Sequence, residues 1–249
     1  MAEVIDFPAG GYRFIKGVFQ YSAGAAALPG FRIERVRFHE PVPLAEGFAR
    51  IADHLRALGR PLTAFCACEL RSPAQFTDQG FFDFNTDYAA VLKQWGLLTL
   101  GDNPVARSNV CPVLDPPAVP SFYGFSHTVA DPAAAASFVI AGSGESIEGN
   151  ATYRERTVAY RDLSPAGMRA KAVHVLKVME DRLAALGFGW RDTTGVQVYT
   201  VHDIMPFLAD EIVRRGAARH GALWHYTRPP VIDLEFEMDC RGVMLERVV

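Results

Sequence analysis

The chain is expected to fold as an α+β protein of two tandem units, residues 1–130 and 131–249, each a mixed β-sheet with two helices packed on one face. Three observations lead there. Segments that alternate apolar and polar residues, the period of a half-buried strand, are interleaved with stretches whose apolar residues recur three and four apart, the period of a helix. Matching phrases close a helix in each half, Ala57-Leu58-Gly59 and Ala185-Leu186-Gly187. The order strand–strand, helix, strand, helix, strand–strand runs twice, with a join near Ala130-Asp131-Pro132-Ala133.

Aromatic and β-branched residues predict strands over Tyr12–Lys16 and from Val18 to a break at Gly24. Phe31–Phe38 alternates cleanly, and Pro41-Val42-Pro43 is expected to stop it. Phe48, Ile51, Ala52, Leu55 and Leu58 share one face of a helix from about Leu44 to Leu58. Ala64–Leu70 reads as a buried strand, Gln75–Asp83 as a loop and Asn85–Trp95 as a second helix. The strand that begins near Arg107 follows, then a proline-rich turn at Asp115–Pro120 and a closing strand over Phe122–Val129. In the second half, Ser137–Gly144 reads as a strand, Ser164-Pro165 as the cap and first turn of a long helix, and Gly195–Val201 as a strand. A helix over Ile204–Arg215 and a long strand over Val231–Asp239, its acids on one face, complete the pattern.

The 249 residues suffice for a sizeable core, and about half are hydrophobic. A net charge of −3 gives no reason to expect a nucleic-acid or anionic-membrane partner. No apolar run has membrane-spanning length and no signal-like segment opens the chain, so the expected location is cytoplasmic. Cys66, Cys68, Cys111 and Cys240 lack zinc-site spacing and read as free thiols. The histidines are likewise scattered, and no metal or cofactor is expected; His127, on the closing strand of the first half, could face a site.

Arg107 draws attention in Pro104-Val105-Ala106-Arg107-Ser108. Its planar fork matches a carboxylate with two parallel hydrogen bonds, and a strand would hold it still. Taken alone, an arginine at a strand end is more commonly paired with a surface acid.

Leu55-Arg56-Ala57-Leu58-Gly59, Phe84–Tyr88 and Pro104–Ser108 in the first half resemble phrases of the RidA/YjgF family of imine deaminases. Ile140–Gly144, Val198–Asp203 and Glu235–Met238 resemble them in the second. The resemblance covers nearly the whole chain as a pair of RidA-like units, each motif being weak alone. It implies α+β domains assembled as trimers, with ligand sites between units. It carries the carboxylate anchor to Arg107, the ligand-facing turn to Ser143 and Gly144, and the water-handling glutamate to Glu235. The two halves keep different parts, because Ser121-Phe122-Tyr123 in the first half has no acid and the second half has no arginine in phrase. One composite site at their contact is therefore expected.

Such a site would deaminate a small enamine or imine carboxylic acid. The C=N carbon is already electrophilic, so an anchor, a water and a proton carrier suffice. The doubled chain resembles the aminomuconate deaminases of aromatic-ring degradation, the chlorinated type included, which implies a dicarboxylate substrate. Arg154, or its neighbours Arg156 and Arg161, could meet the far carboxylate, although a solvated charged loop is the simpler reading of each. Cys111, four residues beyond Arg107, is expected in the wall of the site. Two other readings stand beside this one: a non-catalytic RidA-like scaffold that binds small carboxylates, and a chorismatase-like hydrolase. The resemblance also implies a homo-oligomer, most simply a trimer.

Overall fold

A computed structural model describes residues 2–98, 101–147, 149 and 152–249. Its strands are β1 (Val4–Phe7), β2 (Tyr12–Ile15), β3 (Gly24–Ala27), β4 (Phe31–Pro43), β5 (Phe65–Arg71), β6 (Ala106–Pro112), β7 (Ser121–Ala130), β8 (Phe138–Gly144), β9 (Gly195–Tyr199), β10 (Leu223–His225), β11 (Thr227–Arg228), β12 (Glu237–Gly242) and β13 (Glu246–Val248). Its α-helices are α1 (Leu44–Ala57), α2 (Asp78–Gln94), α3 (Tyr153–Arg156), α4 (Pro165–Ala185) and α5 (Met205–Phe207).

The strands form two mixed sheets. One has the order β1-β2-β3-β8-β12-β9-β10 and the other β11-β6-β5-β7-β4-β13. Within them, β4-β7-β5-β6 and β8-β12-β9-β10 have the same order and the same senses: two antiparallel pairings, then a parallel one. The sheets do not divide the chain at Ala130, however. The first-half strands β1–β3 join the sheet of the second half through β3 and β8, while β11 and β13 from the second half edge the other sheet. The expectation that each half keeps its strands on its own sheet is corrected accordingly. Strand pairing satisfies backbone groups wherever an edge is open, and local pattern does not say which edge that will be.

Helices cover the outer faces. Ile51 and Leu55 of α1, with Tyr88 and Leu92 of α2, pack on Cys66, Cys68, Leu70, Phe122 and Phe125 of one sheet. Met168, Ala172, Val175, Leu176, Met179 and Leu183 of α4 pack on Ile140, Val196, Val198, Met238 and Cys240 of the other. Removing each large side chain from water stabilises the fold by roughly 1.5–3 kcal/mol. Ser164 caps α4 as its sequence predicts, its Oγ accepting the Gly167 N–H at 3.1 Å.

Four local expectations change. β4 runs through Pro41-Val42-Pro43, because its register with β7 shifts between Arg37 and Val42 and so accommodates residues that lack a ladder donor. The expected loop at Gln75–Asp83 is mostly helix: α2 begins at Asp78, with Thr77 Oγ accepting from Gly80 N at 3.1 Å. The expected helix over Ile204–Arg215 is the short α5 followed by a π-helical stretch, Leu208–Val213. The long final strand exists only from Glu237 onward. Asp233 takes a left-handed φ of 70°, and Glu145 captures the N–H groups of Glu235 and Phe236 at 2.7 and 3.1 Å, withdrawing them from any strand ladder.

Candidate active site

A cavity of about 220 Å³ opens where β6 of one sheet meets β8 and the start of β12 of the other. Arg107 and Asn109 line it from β6, Gly142, Ser143 and Gly144 from β8, and Glu237 from β12. Tyr21, Phe81 of α2, Tyr153 and Arg156 of α3, and Arg182 of α4 complete much of the wall.

Strand alternation puts Arg107, Asn109 and Cys111 on one face of β6 and Ser108 on the other. Arg107 is 3% exposed. Its guanidinium lies 4.8–5.8 Å from the ring centres of Tyr88, Tyr21, Phe84 and Phe81, which hold the charge by cation–π attraction. Its Nη2 donates to Asn85 Oδ1 at 2.6 Å, whereas Nη1 has no partner among the described residues. Asn109 repeats this arrangement: its Oδ1 accepts from Ser72 Oγ at 2.9 Å and its Nδ2 has no partner among the described residues. A buried donor left unpaired costs about 1–3 kcal/mol, so two of them in one wall mark a place for an acceptor.

Among the described residues that line the cavity, Glu237 carries the carboxyl group. It is buried, and burial together with the neighbouring Asp239 and Glu145 pushes its pKa well above the usual carboxylate range; Arg182 and Arg107 offset this only in part. Gly142 makes room for the carboxyl group, since a Cβ at that position would lie 2.1 Å from Glu237 Oε1. Arg182 donates to the carbonyls of Ala141 and Gly142 at 2.9 and 3.3 Å, fixing the backbone beneath. The set thus offers anion donors and a carboxyl group of raised pKa within reach of one small ligand.

Arg107, Ser143 and Gly144 therefore come together as expected, but the acid beside them is Glu237. Glu235 does not line the cavity; its carboxylate pairs with Arg228 and, at 2.8 Å, with His202 Nε2. Arg154 is exposed outside the cavity, its guanidinium 5.9 Å from the Tyr160 ring, and Arg156 lines the wall in its place. Two helical residues span about 200°, so only one of this pair can face inward. His127 is remote from the site: it faces α1, with its Nε2 3.1 Å from His54 Nε2, and burial lowers its pKa to about 4. Cys111 shares the Arg107 face, but it lies under the pairing with Arg228 and does not line the cavity. Burial pushes its thiol up to about 12, far from a nucleophilic thiolate. Sequence reading missed Glu237, Asn109 and Tyr153. The alternation of β6 could have found Asn109, and the acidic run that supplied Glu235 also contains Glu237.

Two mixed sheets meeting at a buried arginine, a polar wall and a carboxyl group of raised pKa hold the parts that an α+β acid–base enzyme uses on a small carboxylate. The family is specific: residues 4–247 match 2-aminomuconate deaminase CnbZ, and the chain belongs to that family. It is 54% identical over 251 residues to 2-amino-5-chloromuconate deaminase from Comamonas testosteroni, with all of both chains covered. Among solved structures, a chorismatase resembles it in fold, with a TM-score of 0.51 and 14% identity over 97% of this chain and 79% of that one.

Proposed function

We propose that this deaminase hydrolyses a 2-aminomuconate-like dicarboxylate, chlorinated forms included, and releases ammonia. The observation that carries the reading is the meeting of the open Arg107 Nη1 and Asn109 Nδ2 donors with the Glu237 carboxyl group in one cavity. Family membership and the 54% identity to a 2-amino-5-chloromuconate deaminase support it independently.

Arg107 and Asn109 grip the carboxylate next to the imine carbon and fix that carbon's position. Glu237, whose pKa burial raises, donates a proton to the imine nitrogen. A water then adds to the carbon as its proton returns to the Glu237 carboxylate. The resulting carbinolamine takes that proton on nitrogen, the C–N bond breaks, ammonia leaves, and the hydroxyl gives its proton to the Glu237 carboxylate, which leaves a C=O group and restores the acid. One carboxyl group thus serves in turn as acid and base. Arg156, which lines the same cavity, meets the second carboxylate in place of the expected Arg154.

The comparison of Glu237→Gln with Glu235→Gln tests the assignment. Ammonia release and ultraviolet absorbance are followed on freshly generated 2-aminomuconate, its 5-chloro analogue and 2-aminoacrylate. Glu237→Gln should bind substrate but turn over at least about a hundredfold more slowly, while Glu235→Gln stays within a fewfold of the parent. The reverse pattern would restore Glu235 as the reacting acid.

We also infer that each four-stranded set with its helices is one RidA-like unit, and that chains assemble as a homo-oligomer, most simply a trimer. The repeated strand order supports the first inference. The apolar Leu223, Trp224 and Tyr226, all exposed at the β10–β11 edge, support the second.

A further inference from the structure

We propose that Asp239 is a positioning residue for the deamination: by joining Ser108 to Tyr199 and Gln197, it locks the strand that carries Arg107 and Asn109 to the strand that carries Glu237. The inference rests on the role given above to Glu237.

The geometry is a bridge between sheets. Asp239 sits two residues beyond Glu237 on the same face of β12. Its Oδ2 accepts from Ser108 Oγ at 2.5 Å and from Tyr199 Oη at 2.8 Å, and its Oδ1 accepts from Gln197 Nε2 at 2.9 Å. Ser108 projects from the back of β6, whose front presents Arg107 and Asn109. One carboxylate therefore sets the separation between the anchor on one sheet and the acid on the other. Behind it, Gln197 Nε2 also reaches Glu69 Oε2 at 3.3 Å, and Glu69 is held by Arg35 through bonds of 2.6 and 2.9 Å. Asp239 lies outside the substrate cavity, so its effect on the reaction passes through other groups.

Its charge matters as well as its bonds. Glu237 is faced by Asp239 on its own strand, Glu145 at the end of β8, Arg107 on β6 and Arg182 on α4. Cys111, Tyr21 and Tyr153 also feel its charge. Asp239 in turn is faced by Glu69 on β5 and Arg241 on β12, with Ser108 and Gln197 favouring its ionised form. Burial raises both carboxyl groups, and the charge of Asp239 raises Glu237 further, which favours the protonated form of Glu237.

The test compares Asp239→Asn, Ser108→Ala and Glu237→Gln, each read as kcat, KM and pH profile of ammonia release from 2-aminomuconate, with thermal unfolding alongside. Ser108→Ala cuts the bridge without changing charge: kcat/KM should fall about tenfold with the alkaline limb of the profile in place. Asp239→Asn removes the charge: kcat should fall, and the alkaline limb should move to lower pH by about half a unit or more. A merely structural Asp239 would lower the unfolding temperature and leave the limb where it is, which overturns the proposal. Parent-like kinetics in both Asp239→Asn and Ser108→Ala, with Glu237→Gln inactive, overturns the proposal alone. A fully active Glu237→Gln overturns the catalytic reading beneath it.

Discussion

Gly142→Ala tests the carboxyl group proposed to react. The added methyl would lie 2.1 Å from Glu237 Oε1 and 3.1 Å from the Ser108 Cα. The second contact is backbone and cannot retreat, so the carboxyl group must. Restoring an ordinary carbon–oxygen contact takes a shift of about 1 Å, and misplacement of that size typically costs about a hundredfold in rate, or about 2.7 kcal/mol of barrier. The φ at Gly142 is not left-handed, so the backbone accepts alanine and the stability cost is confined to overpacking, about 1–3 kcal/mol. Gly189→Ala is the control: it lies outside the cavity with no heavy atom within 4 Å of its added methyl, and turnover should stay within about threefold of the parent. Initial rates of ammonia release from 2-aminomuconate, with an unfolding curve for each variant, give both numbers. A folded Gly142→Ala enzyme with parental kcat would mean that the Glu237 carboxyl group is not where the chemistry happens.

Arg107→Lys keeps the charge but loses the bond to Asn85 and the open Nη1 donor; kcat/KM should fall roughly thirty- to a thousandfold, about 2–4 kcal/mol, and a parental value would remove Arg107 as anchor. Lys171 and Glu145 form a fully buried pair 3.3 Å apart, so Lys171→Met leaves a carboxylate uncompensated and should cost about 3–5 kcal/mol in urea unfolding at neutral pH, whereas a neutral result would show that Glu145 is protonated there. His127 is held near pKa 4 by burial, against about 6.5 when unfolded, so its neutral form favours the fold above pH 6.5 and this contribution fades as pH falls toward 4. The stability gap between parent and His127→Gln should therefore narrow between pH 7 and 4.5, and a constant gap would contradict the burial argument. Light scattering checks the assembly, where a stable monomer at micromolar concentration would rule out the expected trimer.

Several elements are determined locally and so were legible in the chain itself. Apolar spacing and end signals define α1 and α4, Ser164 capping the latter, because helix period and caps depend on residues within a few positions. Arg107 could be singled out because its chemistry and its rigid strand are both local, and Gly144 because glycine ends the apolar run of β8. Thr77 and Asp78 carried the start of α2 in plain residue types, although the glycine and phenylalanines after them read as loop.

Which carboxyl group faces the cavity was decided only by tertiary structure. Glu235 and Glu237 have the same parity and would share a face of one continuous strand. The left-handed turn at Asp233, and the capture of two N–H groups by Glu145 from the end of β8, delay that strand until Glu237. The residue that resets the strand thus lies 90 positions away in sequence. The seating of β1–β3 beside β8, and of β11 and β13 on the opposite sheet, has the same character. Backbone donors pair with whichever edge the folded chain presents, and that edge, like the raised pKa of Glu237, exists only once both sheets have closed on each other.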